Sequence, residues 1–203
     1  MQENDIMARQ PEEQRQINRE ATKFEGFVAR LLYDLHLKDV EWNVFYTRKD
    51  GSRRQVDIQY RKGLLSKVVL LECKYRTSPN ARIYLNEFGN GTTNGKKNAT
   101  EKKSQEKEIS HLVDEVDERR IYCNARYGVI ITNAYFDSQL RYVAEQQNIE
   151  LWDRDVLTDL VKKRSSILGI SRLSWKRNID LEAMINKTRK REYEFLKGGP
   201  YRS

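Results

Sequence analysis

The sequence predicts an α/β fold in which a mixed central sheet lies between two layers of helices. Three strand-like stretches, residues 42–47, 53–60 and 66–75, are separated by short turns, as in an antiparallel meander. Later the pattern changes to strand, helix and strand, which favours parallel neighbours joined by a crossover helix. Helical periodicity before and after the meander supplies the outer layers. We therefore expect a three-layer sandwich.

The N-terminal part predicts one long helix. Residues up to about Gln10 are expected to be a frayed tail, and Pro11 then suits the first turn of a helix. Apolar residues recur every three or four positions as far as about His36, which is the spacing of a helix that packs one face on a sheet. Glu25 lies at the margin of that face. Its carboxylate either reaches a site at the sheet edge or is an ordinary boundary acid.

Charged residues interrupt the second and third strands of the meander. Residues 68–71 form a continuous apolar run typical of a buried strand, yet Glu72 and Lys74 follow. Side chains i and i+2 share a face of a strand, so these two lie side by side, and the preceding strand can set Asp57 next to them. Carboxylate oxygens suit Mg²⁺, and a neighbouring lysine can position or deprotonate a water that the metal activates. The alternative is a structural ion pair, or a plain surface acid at Asp57.

The middle of the chain predicts a long polar loop at residues 77–100. Gly91 to Lys96 superficially resembles a phosphate-binding loop, but the glycine spacing is too short and Lys97 replaces the required Ser or Thr, so no nucleotide cofactor is expected. The loop is either a flap over DNA or a solvated insertion. In a flap, its lysines would contact phosphates. These are Lys96, Lys97, Lys102 and Lys103.

The second half of the fold is predicted as helices at residues 104–120, 137–147 and 154–163, with strands at 127–132 and 149–152. Thr132 and Asn133 follow a strand end, so they are either ligand-binding residues or turn and capping residues.

Zinc and serine-hydrolase chemistry are not expected. The two cysteines and two histidines lack zinc-ligand spacing, and no Gly-x-Ser-x-Gly elbow occurs. Cys73 and Cys123 are expected to be reduced thiols, with a disulfide left open.

Charge is concentrated at the C-terminus. Residues 162–203 contain 12 Lys and Arg against four Asp and Glu, which accounts for the whole net charge of +8. Residues 1–161 sum to zero charge, so a neutral part that contains the core, residues 11–161, precedes a basic C-terminal extension, residues 162–203, as suits a polyanionic partner. The alternative is a solvated basic helix. A helix is predicted at 180–196, and its cations either contact DNA, join a dimer contact or complement the helix dipole. These cations are Lys187, Arg189, Lys190 and Arg191.

Composition favours a water-soluble protein. Charged residues make up 33% of the 203-residue chain, and the mean hydropathy is −0.85. No apolar run is long enough to span a membrane, and the first residues lack a secretory pattern. We expect a cytoplasmic protein with no membrane partner.

Asp57, followed by Glu72-Cys73-Lys74 on the next strand, resembles the motif of the PD-(D/E)XK nucleases, although Val56 stands where the motif has proline. This superfamily includes many restriction enzymes and archaeal Holliday-junction resolvases. Glu25 matches the glutamate expected on an upstream helix. Residues 127–136 and 149–153 look like the Mrr-like branch of restriction endonucleases, and the resemblance extends from about residue 24 to about residue 161.

The resemblance implies a restriction endonuclease-like fold and a Mg²⁺-dependent DNA endonuclease, in which Mn²⁺ substitutes. Asp57 and Glu72 would hold the metal with the backbone carbonyl of Cys73, and Lys74 would activate the attacking water. Glu25 would tune the site or hold a second ion. Cutting both strands of DNA implies a homodimer. The resemblance does not decide between duplex and four-way-junction substrates, or between DNA and RNA. The alternative function is a non-catalytic nucleic-acid-binding module with the same fold.

Overall fold

The computed structural model describes residues 3–85, 112–167 and 179–198, and it confirms the predicted α/β class. A five-stranded mixed sheet lies between helices, and two short 3₁₀ helices, Lys190–Glu192 and Glu194–Leu196, follow the last α-helix. In chain order the elements are α1 (Glu3–Asp34), β1 (Lys38–Thr47), β2 (Arg53–Lys62), β3 (Lys67–Lys74), β4 (Arg82–Ile83), α2 (Leu112–Tyr122), β5 (Tyr127–Thr132), β6 (Tyr135–Phe136), α3 (Ser138–Gln146), β7 (Ile149–Trp152), α4 (Arg154–Ile167) and α5 (Leu181–Lys187).

The main sheet has the strand order β1-β2-β3-β5-β7. The first three strands form the predicted antiparallel meander, and β3, β5 and β7 are parallel. Parallel neighbours need crossover connections, and α3 supplies the one between β5 and β7. Strands β4 and β6 form a separate pair that the sequence did not predict. Strand β4 lies within the predicted loop, and two residues are too few to show strand alternation.

Two apolar cores hold the helices on opposite faces of the sheet. Phe24, Leu31 and Leu32 of α1 are fully buried against one face, together with Leu157 of α4. Residues of α2 and α3, such as Leu140, pack on the other face. Each such side chain contributes about 1.5–3 kcal/mol when buried, so both layers are firmly attached to the sheet. No helix in the described ranges is both long and apolar enough to cross a bilayer.

The first helix begins earlier than predicted. Helix α1 starts at Glu3 rather than at Pro11, and it passes through the proline without a break. A proline within a helix removes one backbone hydrogen bond, at a cost of about 3 kcal/mol, but does not prevent helix on its N-terminal side. The expected frayed tail at residues 3–10 is therefore helical.

The last predicted helix, residues 180–196, is wrong in its extent. Helix α5 ends at Lys187, and Thr188 and Arg189 adopt extended backbone angles before the two 3₁₀ helices. The bend brings Tyr193 and Leu196 into the same core as α1. Burial of these apolar side chains outweighs the helical periodicity of the local sequence. The predicted domain boundaries stay predictions.

The chain end is attached to the edge strand of the sheet. Lys197 bridges to Trp42 of β1, and the Gly198 N–H donates to the Trp42 carbonyl at 2.8 Å. Tyr193 packs edge-on against the Trp42 ring, with centroids 4.9 Å apart. Gly26 of α1 allows the Tyr193 ring to lie close to the helix, since a Cβ at that position would overlap the ring.

Candidate active site

The candidate active site lies where β2 and β3 separate. Backbone pairing between the two strands continues as far as Ile58 opposite Leu71 and then stops. At that point Asp57 Oδ2 accepts a hydrogen bond from the Cys73 N–H at 2.7 Å. A side chain thus takes the place of a backbone partner, and it holds Asp57 against the end of β3.

Strand β1 is also distorted here. Asn43 has a φ of 54°, and the pairs on either side of it, Trp42 with Ile58 and Val44 with Val56, place it opposite Asp57. Asparagine tolerates this left-handed conformation better than most residues. At the level of Asp57, β3 has thus left the regular pairing with β2, while β1 keeps its register but has an unusual backbone conformation at Asn43.

Glu72 is a buried carboxylate that contacts two cations. Lys74 Nζ donates to its Oε1 at 2.9 Å, and Arg119 of α2 forms an ion pair with its Oε2. The glutamate is only 9% exposed. A buried carboxylate is stable only when it is paired and hydrogen-bonded, and here both of its oxygens are.

The buried site shifts the pKa of Lys74 downward. Burial is the main cause, because it disfavours the charged ammonium, and Arg76 adds repulsion. Attraction to Asp57 and Glu115 opposes the shift without cancelling it. Lys74 therefore gives up its proton more readily than an ordinary lysine, as a general base must.

The two remaining acids of the predicted set, Glu25 and Asp57, are harder to ionise than usual. Burial raises the pKa of Asp57, although the Cys73 N–H, Lys74 and Arg119 each lower it. Burial and then repulsion from Asp57 raise the pKa of Glu25 to about 7. Trp42 Nε1 donates to Glu25 Oε2 at 3.1 Å and favours the carboxylate. Electrostatic interactions thus connect Glu25, Asp57 and Lys74, and Lys74 in turn contacts Glu72.

Helix α2 contributes two residues that the sequence analysis did not find. Arg119 reaches Glu72, and Glu115, one turn earlier, interacts electrostatically with Lys74. A spacing of four residues places both on one side of the helix. That spacing is a signal in the sequence, but nothing in it specifies β3 as their target.

Thr132 and Asn133 act within the chain, as the turn interpretation expected. Asn133 is fully buried; its Oδ1 accepts from the Arg76 N–H and its Nδ2 donates to the Arg76 carbonyl, each at 2.8 Å. Thr132 Oγ1 accepts from the Ala134 N–H at 3.1 Å. Asn133 therefore fixes the backbone just beyond Lys74.

The donor chemistry of the site fits a hard divalent cation held by few protein ligands. Asp57 and Glu72 provide carboxylate oxygens beside the Cys73 backbone, and Mg²⁺ is commonly bound by one or two carboxylates plus water and substrate oxygens. Within residues 3–85, 112–167 and 179–198, no group of three or more His, Cys, Asp or Glu side chains is gathered for a metal. Two carboxylates are thus the side-chain ligands at hand.

The structure describes only some of the residues predicted to bind DNA. The predicted flap lysines, 96, 97, 102 and 103, lie outside the described ranges. Lys187, Arg189 and Arg191 are exposed, as is Lys190, which also pairs with Glu194 at 3.2 Å. Cys73 and Cys123 are both free thiols, as expected.

The second half of the chain matches a known family. Residues 92–161, about a third of the chain, match the model of the Mrr_cat family, described as a restriction endonuclease. The match confirms the resemblance to the PD-(D/E)XK superfamily that the sequence showed. The matched range begins after Lys74, so the acids and the lysine of the candidate site lie outside it.

Solved structures with related folds include a protein of unknown function, AF1548, with 14% identity and a TM-score of 0.50 over 86% of this chain and 88% of that one. The DNA modification-dependent restriction endonuclease AspBHI aligns with 18% identity and a TM-score of 0.44, over 80% of this chain and 33% of that one. The MspJI restriction endonuclease, in complex with a 27-mer oligonucleotide, aligns with 17% identity and a TM-score of 0.43, over 90% of this chain and 34% of that one. This chain thus spans about a third of each of these two enzymes. The curated proteins contain no match.

Proposed function

We propose that this chain is a divalent-metal-dependent endonuclease that hydrolyses phosphodiester bonds in duplex or branched DNA. The observation that carries the proposal is the ion pair between the buried Glu72 and the partly buried Lys74, beside Asp57 at the point where β2 and β3 open. A partly buried lysine with a lowered pKa next to two carboxylates is costly to maintain, and such groups cluster at functional sites. The family match to restriction endonucleases adds support.

In this proposal Asp57, Glu72 and the Cys73 carbonyl hold the metal, Mg²⁺ or Mn²⁺. A bound divalent ion neutralises charge on the scissile phosphate and acidifies water. Lys74, held by Glu72, orients the attacking water or accepts a proton from it. Glu25 modulates the charge of Asp57 or serves a second ion.

Cleavage of labelled DNA tests this function. Duplex, four-way-junction and single-stranded DNA, and an RNA, are incubated with Mg²⁺, Mn²⁺ or EDTA. We expect metal-dependent cutting that falls by at least about a hundredfold in Asp57→Asn and Lys74→Ala, since each loses a group that acts in the chemical step. Glu118→Gln, an exposed glutamate of α2, serves as the matched control and should retain activity. Cutting that persists in Lys74→Ala would contradict the proposal.

We further propose a homodimer, because two sites are needed to cut two strands at once. Sedimentation at the concentration of the assay measures the assembly. A fully active monomer would contradict this part of the proposal.

A second candidate function is a DNA-binding module that does not cut. The observation that favours it is the ion pairing of Glu72, whose two oxygens are already neutralised by Lys74 and Arg119. DNA binding without cleavage under every metal condition would select this function.

A further inference from the structure

The turn between β1 and β2 carries an exposed group of cations that the proposed chemistry does not use. We call residues 48–54 the basic hairpin tip. Its cations are Arg48, Lys49, Arg53 and Arg54, and all four are exposed. Its one acid, Asp50, is satisfied locally, since it accepts from the Ser52 N–H at 2.8 Å and from the Ser52 hydroxyl at 2.6 Å.

Helix α2 holds this tip in place. The Tyr122 hydroxyl, at the end of α2, donates to the Ser52 carbonyl at 2.6 Å, and Arg48 donates to the Tyr122 carbonyl at 3.2 Å. The Arg48 guanidinium also stacks 4.0 Å from the Tyr122 ring centre. Gly51, with a φ of 81°, allows the tight turn that closes the tip. The cations therefore project from an ordered support rather than from a loose loop.

The register of the sheet places the tip on the same side as the candidate active site. Arg53 pairs with Thr47 at the start of β2 and lies four residues before Asp57, a path of about 13 Å at roughly 3.3 Å per residue. Because β2 and β3 are antiparallel, the start of β2 lies beside the end of β3, where Lys74 is. Helix α2 links the two regions directly, with Arg119 on Glu72 and Tyr122 on the tip.

We propose that the basic hairpin tip binds the phosphate backbone of DNA that flanks the cleaved bond. This inference rests on the proposed function and adds the surface that positions its substrate. Phosphates of one strand follow one another at about 3.4 Å along the helix axis, so a separation of about 13 Å lies within a few nucleotides of the site. Cations fixed at that distance set the register of the backbone without reading sequence.

A binding assay that needs no catalysis tests the surface. A labelled duplex is titrated in EDTA, by fluorescence anisotropy, at several salt concentrations from about 50 to 200 mM. The test variant combines Lys49→Gln and Arg53→Gln. The matched control combines Lys38→Gln and Lys67→Gln, two exposed lysines that begin β1 and β3 at the opposite end of the meander. Thermal unfolding checks that both variants fold like the wild type.

We expect the test variant to bind less tightly and with a weaker salt dependence. Each lost phosphate contact lowers the slope of log K against log salt by about 0.9, so the slope should fall by about 1 to 2, while the control keeps the wild-type slope. Equal slopes in wild type and test variant would overturn the hairpin surface and leave the proposed function standing. A wild type that binds no DNA in EDTA would also overturn the hairpin surface, and a wild type that neither binds nor cuts DNA with Mg²⁺ or Mn²⁺ present would overturn both proposals.

Discussion

Glu72 shows how much of this site depends on single residues from distant parts of the chain. Its partner Lys74 is two positions away, and strand alternation predicts their contact. Its other partner, Arg119, is 47 residues away on α2. Asp57, Glu72 and Lys74 could be found from the sequence because a charged pair closes an apolar strand, whereas Arg119 could not, because only the packed helix brings it there.

Loss of Arg119 should destabilise the protein. Arg119→Ala leaves Glu72 buried with Lys74 as its remaining cation. Breaking a fully buried ion pair costs up to about 3–5 kcal/mol. Because Arg119 is partly exposed, we expect the free energy of unfolding to fall by about 1–3 kcal/mol. Lys162→Ala removes an exposed pair with Asp159 and should cost less than about 1 kcal/mol. Urea unfolding measures both free energies. Equal losses in the two variants would show that the Arg119 pair adds nothing beyond a surface pair.

The raised pKa of Glu25 predicts how stability changes with pH. Its pKa moves from 4.5 in the unfolded chain to about 7 in the folded protein, mainly through burial. Between those values the folded state binds a proton that the unfolded state has lost, so the free energy of unfolding falls as pH rises. The stability that the protonated Glu25 contributes is complete below about pH 4.5 and is lost as pH rises through about 7. Removing the ionisable group should therefore increase the stability of the protein most at high pH.

Glu25→Gln should be more stable than the wild type at about pH 8, by at most about 3 kcal/mol, with a much smaller difference at about pH 5. Urea unfolding in EDTA at both pH values measures this, with Glu118→Gln as control. A pH-independent difference would contradict the assignment to Glu25.

Elements differ in how much of their structure the local sequence determines. Strand β5 has the predicted bounds, because six consecutive residues of its buried run carry the pattern. Helix α5 is shorter than its periodicity suggested, because Tyr193 and Leu196 turn back onto the core. Strands β4 and β6 depend on each other across more than 50 residues, and neither has a local pattern.

The contact between α1 and the C-terminal segment should be sensitive to one methyl group. Gly26→Ala would raise intrinsic helix propensity by about 1 kcal/mol, yet the added Cβ overlaps the Tyr193 ring, so we expect a net loss of about 1–3 kcal/mol. Combining it with Tyr193→Leu should recover part of that loss, since the smaller side chain can move away. Thermal unfolding of the four proteins in the cycle provides the test. Additive effects would mean that the two residues do not press on each other.

At the scale of the whole molecule, the C-terminal segment is part of the main core as well as a source of positive charge. Leu181, Ile185, Tyr193 and Leu196 are all buried against α1 and the sheet. A truncation before residue 179 would expose that surface. We expect such a variant to lose several kcal/mol of stability, at about 1.5–3 kcal/mol for each apolar side chain removed from the core, measured by urea unfolding. Charge substitutions at Lys187 and Arg191, which are exposed, should leave stability unchanged.

The bond between Gly198 and Trp42 has a consequence for self-association. Strand β1 is the outer strand of the sheet, and an outer strand offers backbone groups to which a strand from another molecule can add. The Gly198 N–H already occupies the Trp42 carbonyl, and Lys197 bridges to the same residue. The C-terminal segment thus covers part of the edge strand of its own sheet. Proteolytic loss of Lys197 and Gly198 would leave that edge free to pair with a strand of another copy.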